Sequence, residues 1–192
     1  MKKRIKLQGG LMAGSLIIIA IFYRYILPEY EHSLIWNILG VALVISGYLL
    51  RISARGVKAE LNPDGKALVT KGPYALTRNP MYLGTLIIGI GFTGILFRWW
   101  VSLVFLTAYL GIYIPQIKKE EEKLFGFFGA SFKDYCKKTP RFFPNVRGLF
   151  NTNPKDYLGI KQAWLKKELP SLIITFVLIV VMKTAIHFLS KQ

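Results

Sequence analysis

The sequence predicts an all-α polytopic membrane bundle of about five spans, and three observations lead there. The 192 residues are 53% hydrophobic with a mean hydropathy of +0.38. Apolar runs near the length needed to cross a bilayer recur along the chain,. The charged residues fall between those runs rather than along amphipathic helix faces. A net charge of +16 would otherwise suggest a nucleic-acid partner,. Distributed this way, it reads as the basic bias of cytosolic loops, and no nucleic acid is expected. One cysteine, Cys136, excludes an internal disulfide, and His32 and His187 lie too far apart in sequence to suggest a metal centre,.

Residues 7–27 follow a basic start, MKKRIK, and form the first span. No small-residue cleavage site follows, so it reads as a retained helix rather than a signal peptide. A short acidic turn, 28–33, precedes the second span at 34–50, extending to 53 at most, and a basic loop is expected from Arg51 to Asn79. The third span, 81–97, holds Gly84, Gly89, Gly91 and Gly94, small residues that let helices approach closely,. Arg98-Trp99-Trp100 marks an interfacial turn,. The fourth span, 101–114, is expected to kink at Pro115 and to continue into water as QIKKEEEKLF,. An aromatic helical patch at 127–135 and a Pro-bounded basic loop at 137–148 come next. Residues 156–168 read as an amphipathic surface helix with Tyr157, Ile160, Trp164 and Leu165 on one face, ahead of a fifth span at 169–189,. The organisation expected is a helix pair at 1–54, a core at 55–147 and an appended segment at 148–192.

Of the 26 Lys and Arg residues, 22 lie at 1–6, 51–78 and 118–167, while the turns at 28–33 and 98 hold one between them. Five crossings then place the N-terminus and these basic regions in the cytosol and the C-terminus on the opposite side. The stretch 65–84, GKALVTKGPYALTRNPMYLG, thereby shares a face with the acidic stem that follows Pro115. Pro73 and Pro80 restrict Gly72 and Asn79 to extended conformations, and Pro80 suits the first turn of the next helix. A stiff polar loop pressed on an apolar helix is a place to hold a small polar ligand beside a membrane.

The order Tyr74-x-x-x-Arg78-Asn79-Pro80-x-Tyr82-x-Gly84, then Glu120-Glu121-x-x-Leu124-x-x-x-Phe128-Gly129, then Arg141-x-x-Pro144 carries a resemblance. Over residues 66–144 the chain resembles the isoprenylcysteine carboxyl methyltransferases and their phospholipid N-methyltransferase relatives. The resemblance implies S-adenosylmethionine held in a cytosolic pocket among membrane helices, with no Rossmann domain. It implies cofactor contacts at Lys66, Ala67, Leu68, Val69, Tyr74, Asn79, Pro80, Met81, Tyr82 and Glu120. Gln116 falls at the substrate position, where the prenylcysteine enzymes carry an arginine, and Asn79 stands where the family has histidine.

The residue chemistry agrees with that implication. A sulfonium donor is cationic, so Glu120 or Glu121 in a partly dehydrated pocket would favour it. Methyl transfer needs alignment more than acid chemistry. Arg78 would orient a carboxylate nucleophile and Glu121 would take a proton from an amine, which makes these two the catalytic candidates. The expected function is methyl transfer to a lipid-like or isoprenylated small acceptor. Its alternatives are a phospholipid amine N-methyltransferase and an NADPH-dependent membrane reductase of the sterol reductase type. A lipid-binding scaffold holding anionic headgroups on its basic surface is the non-enzymatic reading. Taken singly, the glutamates are a solvated face and Tyr74 and Tyr82 are interfacial aromatics; only their joint spacing points to chemistry.

Overall fold

A computed structural model describes residues 25–27, 34–144 and 159–189, so most of the first expected span lies outside it. Among the described residues the chain is helical and has no strand. The long helices are α1 (Leu34–Leu61), α3 (Pro80–Leu96), α4 (Trp99–Lys138) and α5 (Gln162–Leu189), with a single short turn, α2 (Pro73–Leu76), between α1 and α3. α1, α4 and α5 are long and apolar enough to cross a membrane, and α3 is apolar but 17 residues long. The protein is an all-α membrane bundle.

Two expectations for α1 and its loop are corrected. The helix does not give way to a basic loop at Arg51 but continues to Leu61. The segment RISARGVKAEL lacks proline and is rich in helix formers, so its charges did not mark a helix end. Pro63 does, by restricting the residue before it. Gly72 is not extended: its φ of 61° and ψ of −136° are open to glycine alone, and a Cβ there would meet Val57 Cγ2 at 3.1 Å,. Asn79, at φ −126° and ψ 55°, is not extended either, because its side chain is committed to Glu121 and the Arg141 carbonyl. Pro80 opens α3 as expected,.

α1 and α3 pack antiparallel through two glycine pairs. A Cβ on Gly47 would lie 2.6 Å from the Gly84 carbonyl oxygen, and one on Gly91 would lie 2.6 Å from that of Gly40. The seven-residue spacing of both pairs, Gly40 to Gly47 and Gly84 to Gly91, keeps them on one seam,. Gly89 makes room for the Phe105 ring on α4, whereas Gly94 faces open space. At the top of α3 the chain turns through Arg98, whose N–H donates to the Ile26 carbonyl at 3.1 Å and whose Nε donates to that of Leu27 at 3.0 Å.

α4 runs as helix through Pro115, and its backbone departs from helical geometry only at Gly129, with φ 49° and ψ −119°. The acidic stem thus leads into the aromatic patch, and the arm they form is kinked at Gly129. α5 begins at Gln162, so residues 162–168 are its first turns and not a separate surface helix. Trp164 fills the space over Gly56, while Ile160 and Leu165 are exposed; Tyr157 lies outside the described residues. Lys183 donates to Asn37 Oδ1 at 3.0 Å.

Candidate active site

The loop between α1 and α3 is fixed at both ends before it reaches α4. Asn62, just past α1, accepts the Ala67 N–H on its side-chain oxygen at 2.9 Å. Gly65 turns the chain with φ 73°. At the far end the Arg78 N–H donates to the Pro140 carbonyl at 2.9 Å and Thr77 Oγ1 donates to that of Phe142 at 2.8 Å. The chain returning from α4 is therefore sewn onto the entrance of α3.

Glu121 is the centre of that seam. It is 8% exposed. Arg78 Nε donates to Oε1 at 2.9 Å, Arg78 Nη2 and Arg141 Nε donate to Oε2 at 3.3 and 2.8 Å, and Asn79 Nδ2 donates to Oε1 at 3.3 Å. Arg78 Nη1 in turn donates to the carbonyls of Cys136 and Thr139, both at 3.0 Å. Charge-assisted bonds of this kind are about twice as strong as neutral ones. Two guanidinium groups and the Asn79 amide thus converge on one carboxylate and tie the loop to the arm.

Glu120, one residue earlier, points elsewhere because successive helix positions differ by about 100°. Its Oε1 accepts from Tyr82 Oη at 2.6 Å and from Gln116 Nε2 at 2.9 Å. Both donors are neutral, and among the described residues no cation stands within ion-pair distance of it.

A cavity of about 280 Å³ lies between loop and arm, walled by Ala67, Leu68, Val69, Tyr74, Arg78 to Tyr82, Glu120 and Glu121. Of the thirteen residues singled out from the sequence, it unites eleven. Lys66 is exposed and outside the wall, and Gln116 reaches the cavity only through Glu120. The other side is apolar and aromatic: Leu124, Phe128, Phe132 and Tyr135. Tyr135 Oη donates to the Tyr74 carbonyl at 2.6 Å and fixes α2 against the arm. The Tyr74 hydroxyl is pushed up to about 12, first by burial and then by the negative charge of Glu120,. Leu83, Ile117 and Phe142, adjacent in sequence to wall or neighbouring residues, belong to one buried apolar cluster.

The sequence reasoning missed Lys58 and Asn62, which join the wall because α1 continues to Leu61. It also passed over Leu124 and Phe128 as wall residues. Their spacing of four from Glu120 puts all three on one helical face, a signal available from the sequence.

The wall has the features a small zwitterionic cation would need. Glu120 offers charge, Tyr74, Phe128 and Phe132 offer ring faces, and among the described residues the N–H groups of Leu68 and Val69 have no protein acceptor. S-adenosylmethionine carries a sulfonium, an aromatic base and an amino-acid tail, and this donor set fits it.

The family model described as phospholipid methyltransferase matches residues 35–131, just over half of the chain. Among similar curated proteins, the protein-S-isoprenylcysteine O-methyltransferase of Xenopus laevis is 26% identical over 132 residues, covering 65% of this chain and 46% of that protein. The Schizosaccharomyces pombe protein of the same name is 36% identical over 90 residues, covering 47% and 38%. The cobalt-zinc-cadmium resistance protein CzcN of Cupriavidus metallidurans is 33% identical over 113 residues, covering 57% and 48%. The chain spans about half the length of the curated relatives it matches. No solved structure matches it.

Proposed function

The chain belongs to the phospholipid methyltransferase family, and from that premise we propose that it transfers a methyl group from S-adenosylmethionine to a lipophilic acceptor at the membrane surface. The acceptor class best supported is the lipid-like or isoprenylated one, by likeness to the isoprenylcysteine O-methyltransferases. One observation carries the reading: Glu120, a carboxylate in the wall with no ion-pair partner among the described residues, stands among aromatic residues beside the proline-bounded loop.

The donor, when bound, supplies an electrophilic methyl group on a cationic sulfur. The chain's own part is to place it. Glu120 attracts the positive charge, and Tyr82 and Gln116 hold the carboxylate in one rotamer without cancelling it. Ala67 to Val69 and Tyr74 form the side that receives the base and tail. Arg78 and Glu121 act as positioning residues, because they hold loop to arm and leave alignment, rather than proton transfer, to lower the barrier. The basic bias supports a cytosolic cavity with the C-terminus on the opposite side. A reductase using a polyanionic dinucleotide would meet the Glu120 carboxylate, which argues against that alternative.

The test is calorimetric titration of the purified protein with S-adenosylhomocysteine and S-adenosylmethionine. Glu120→Gln keeps the two hydrogen-bonded neighbours and removes the charge, so affinity for the cationic donor should fall about tenfold, or about 1.4 kcal/mol. The uncharged thioether product should lose less. Absence of binding in the unaltered protein, or equal loss for both ligands, would sink the assignment of the cavity or of Glu120.

A further inference from the structure

The family match ends at residue 131 and α5 lies wholly beyond it. α5 nevertheless carries the most buried carboxylate in the described chain, Glu168, 1% exposed. Arg55 Nη1 donates to its Oε1 at 2.6 Å, and Arg51 Nη2 stands 3.2 Å from its Oε2. Burying charge between helices is costly unless geometry and partners are good. Here they are imperfect: Arg51 Nε and Glu168 Oε2 are buried without a hydrogen bond. A cluster that costs this much calls for an explanation.

Arg51 supplies one. Its side chain crosses the seam at Gly84, where a Cβ would meet its Cγ at 2.7 Å. Beyond that gap Arg51 Nη1 donates to Thr85 Oγ1 at 3.3 Å, and Thr85 Oγ1 donates to the Met81 carbonyl at 2.9 Å. Met81 is in the cavity wall between Pro80 and Tyr82. A continuous set of polar contacts thus runs from α5, across α1, to the first turn of α3.

Fastening α5 to α1 does not require it. Tyr48 Oη bonds Thr175 Oγ1 at 2.8 Å and the Ser171 carbonyl at 2.9 Å, Lys161 pairs with Glu60 at 2.7 Å, and Lys183 reaches Asn37. None of these contacts touches α3. We propose that Glu168 is a positioning residue: by holding Arg51 against Thr85 it sets the first turn of α3, so that α5 shapes the cavity without lining it. The inference rests on the reading of that cavity as the methyl-donor site only for its functional consequence.

Three variants of the full chain in lipid nanodiscs test it: Glu168→Gln, Thr85→Val and, as a control, Tyr48→Phe. Amide hydrogen exchange at Leu83 to Thr85 reads the brace with no ligand present, and titration with S-adenosylhomocysteine reads the cavity. Glu168→Gln and Thr85→Val should each speed that exchange and weaken product binding about fivefold. Tyr48→Phe should lower the thermal midpoint and move neither. The proposal is overturned if both test variants lower the midpoint as the control does and leave exchange at α3 unchanged. Thr85→Val alone decides the matter should Glu168→Gln fail to fold. If the unaltered protein binds no S-adenosylhomocysteine, the donor reading fails while the exchange result still decides the brace.

Discussion

The body of α3 and its first turn belong to one helix yet are held by opposite means. Along the body, Gly84 and Gly91 bring the backbone of α3 against that of α1, and the seam rests on packing, with the Arg51 bond to Thr85 as a polar contact across it,. At the first turn, Asn79 to Tyr82 are held by directed bonds to Glu120, Glu121 and the chain after α4. Packing of backbone on backbone has no slack, so the seam is a fixed reference for the rest. Directed bonds can instead be arranged around a ligand. The uncommitted charge of the cavity lies where the second kind of contact takes over from the first.

The largest effect expected to break this contrast comes from the first turn. Arg78→Ala removes a guanidinium that is 10% exposed and leaves Glu121, among the described residues, with Arg141, itself 47% exposed, as its ion-pair partner. Breaking a buried pair this way costs about 3–5 kcal/mol. The variant should lose donor binding and most of its thermal stability together. Arg78→Lys should recover charge but not the fork of bonds to Glu121, Cys136 and Thr139, and so should rescue little. Full rescue by lysine in a melting assay would show that Arg78 acts as charge alone. Next in size is the seam. Gly47→Ala puts a methyl group 2.6 Å from the Gly84 carbonyl, and overpacking of that kind costs about 1–3 kcal/mol,. Midpoint should fall while the affinity of the folded fraction for S-adenosylhomocysteine stays near that of the unaltered chain. Equal damage to both would show that seam and cavity wall are one mechanical unit.

How much of this was legible in the sequence follows the same division. Apolar runs and glycines announce a membrane bundle because local composition decides them, and α3 sits within one residue of its expected bounds at either end. The end of α1 was not legible. Arg51 to Leu61 is charged yet helical, whereas α4 continues past Pro115 as expected, because a helix already packed on neighbours absorbs one lost bond more readily than it unwinds,. Glu120 and Glu121 were both visible, but their roles were not. Neighbouring residues look alike in sequence and point apart on a helix, so only the positions of Arg78, Arg141 and Tyr82 show which carboxylate is ion-paired and which meets neutral donors. Glu168 was invisible as anything but a surface charge, since its partners Arg51 and Arg55 stand more than a hundred residues away.

The smallest effect expected belongs to Tyr74, which sharpens the contrast from the cavity side. Its hydroxyl is raised to about 12 by burial and by the nearby charge of Glu120. In the unfolded chain a tyrosine loses its proton near pH 10. Between about pH 10 and 12 the unfolded state therefore binds fewer protons than the folded one, and stability must fall as pH rises through that window. Below it the tyrosine is neutral in both states and contributes no slope. Tyr74→Phe removes this one source of alkaline loss while keeping the ring in the wall. Thermal midpoints measured from pH 8 to 11 should fall less steeply in the variant above pH 10 and run parallel below. The Tyr135 bond goes to the Tyr74 carbonyl, not its hydroxyl, and survives the substitution. Parallel curves throughout would mean that Tyr74 faces water, and that the aromatic side of the cavity is not closed enough to exclude it.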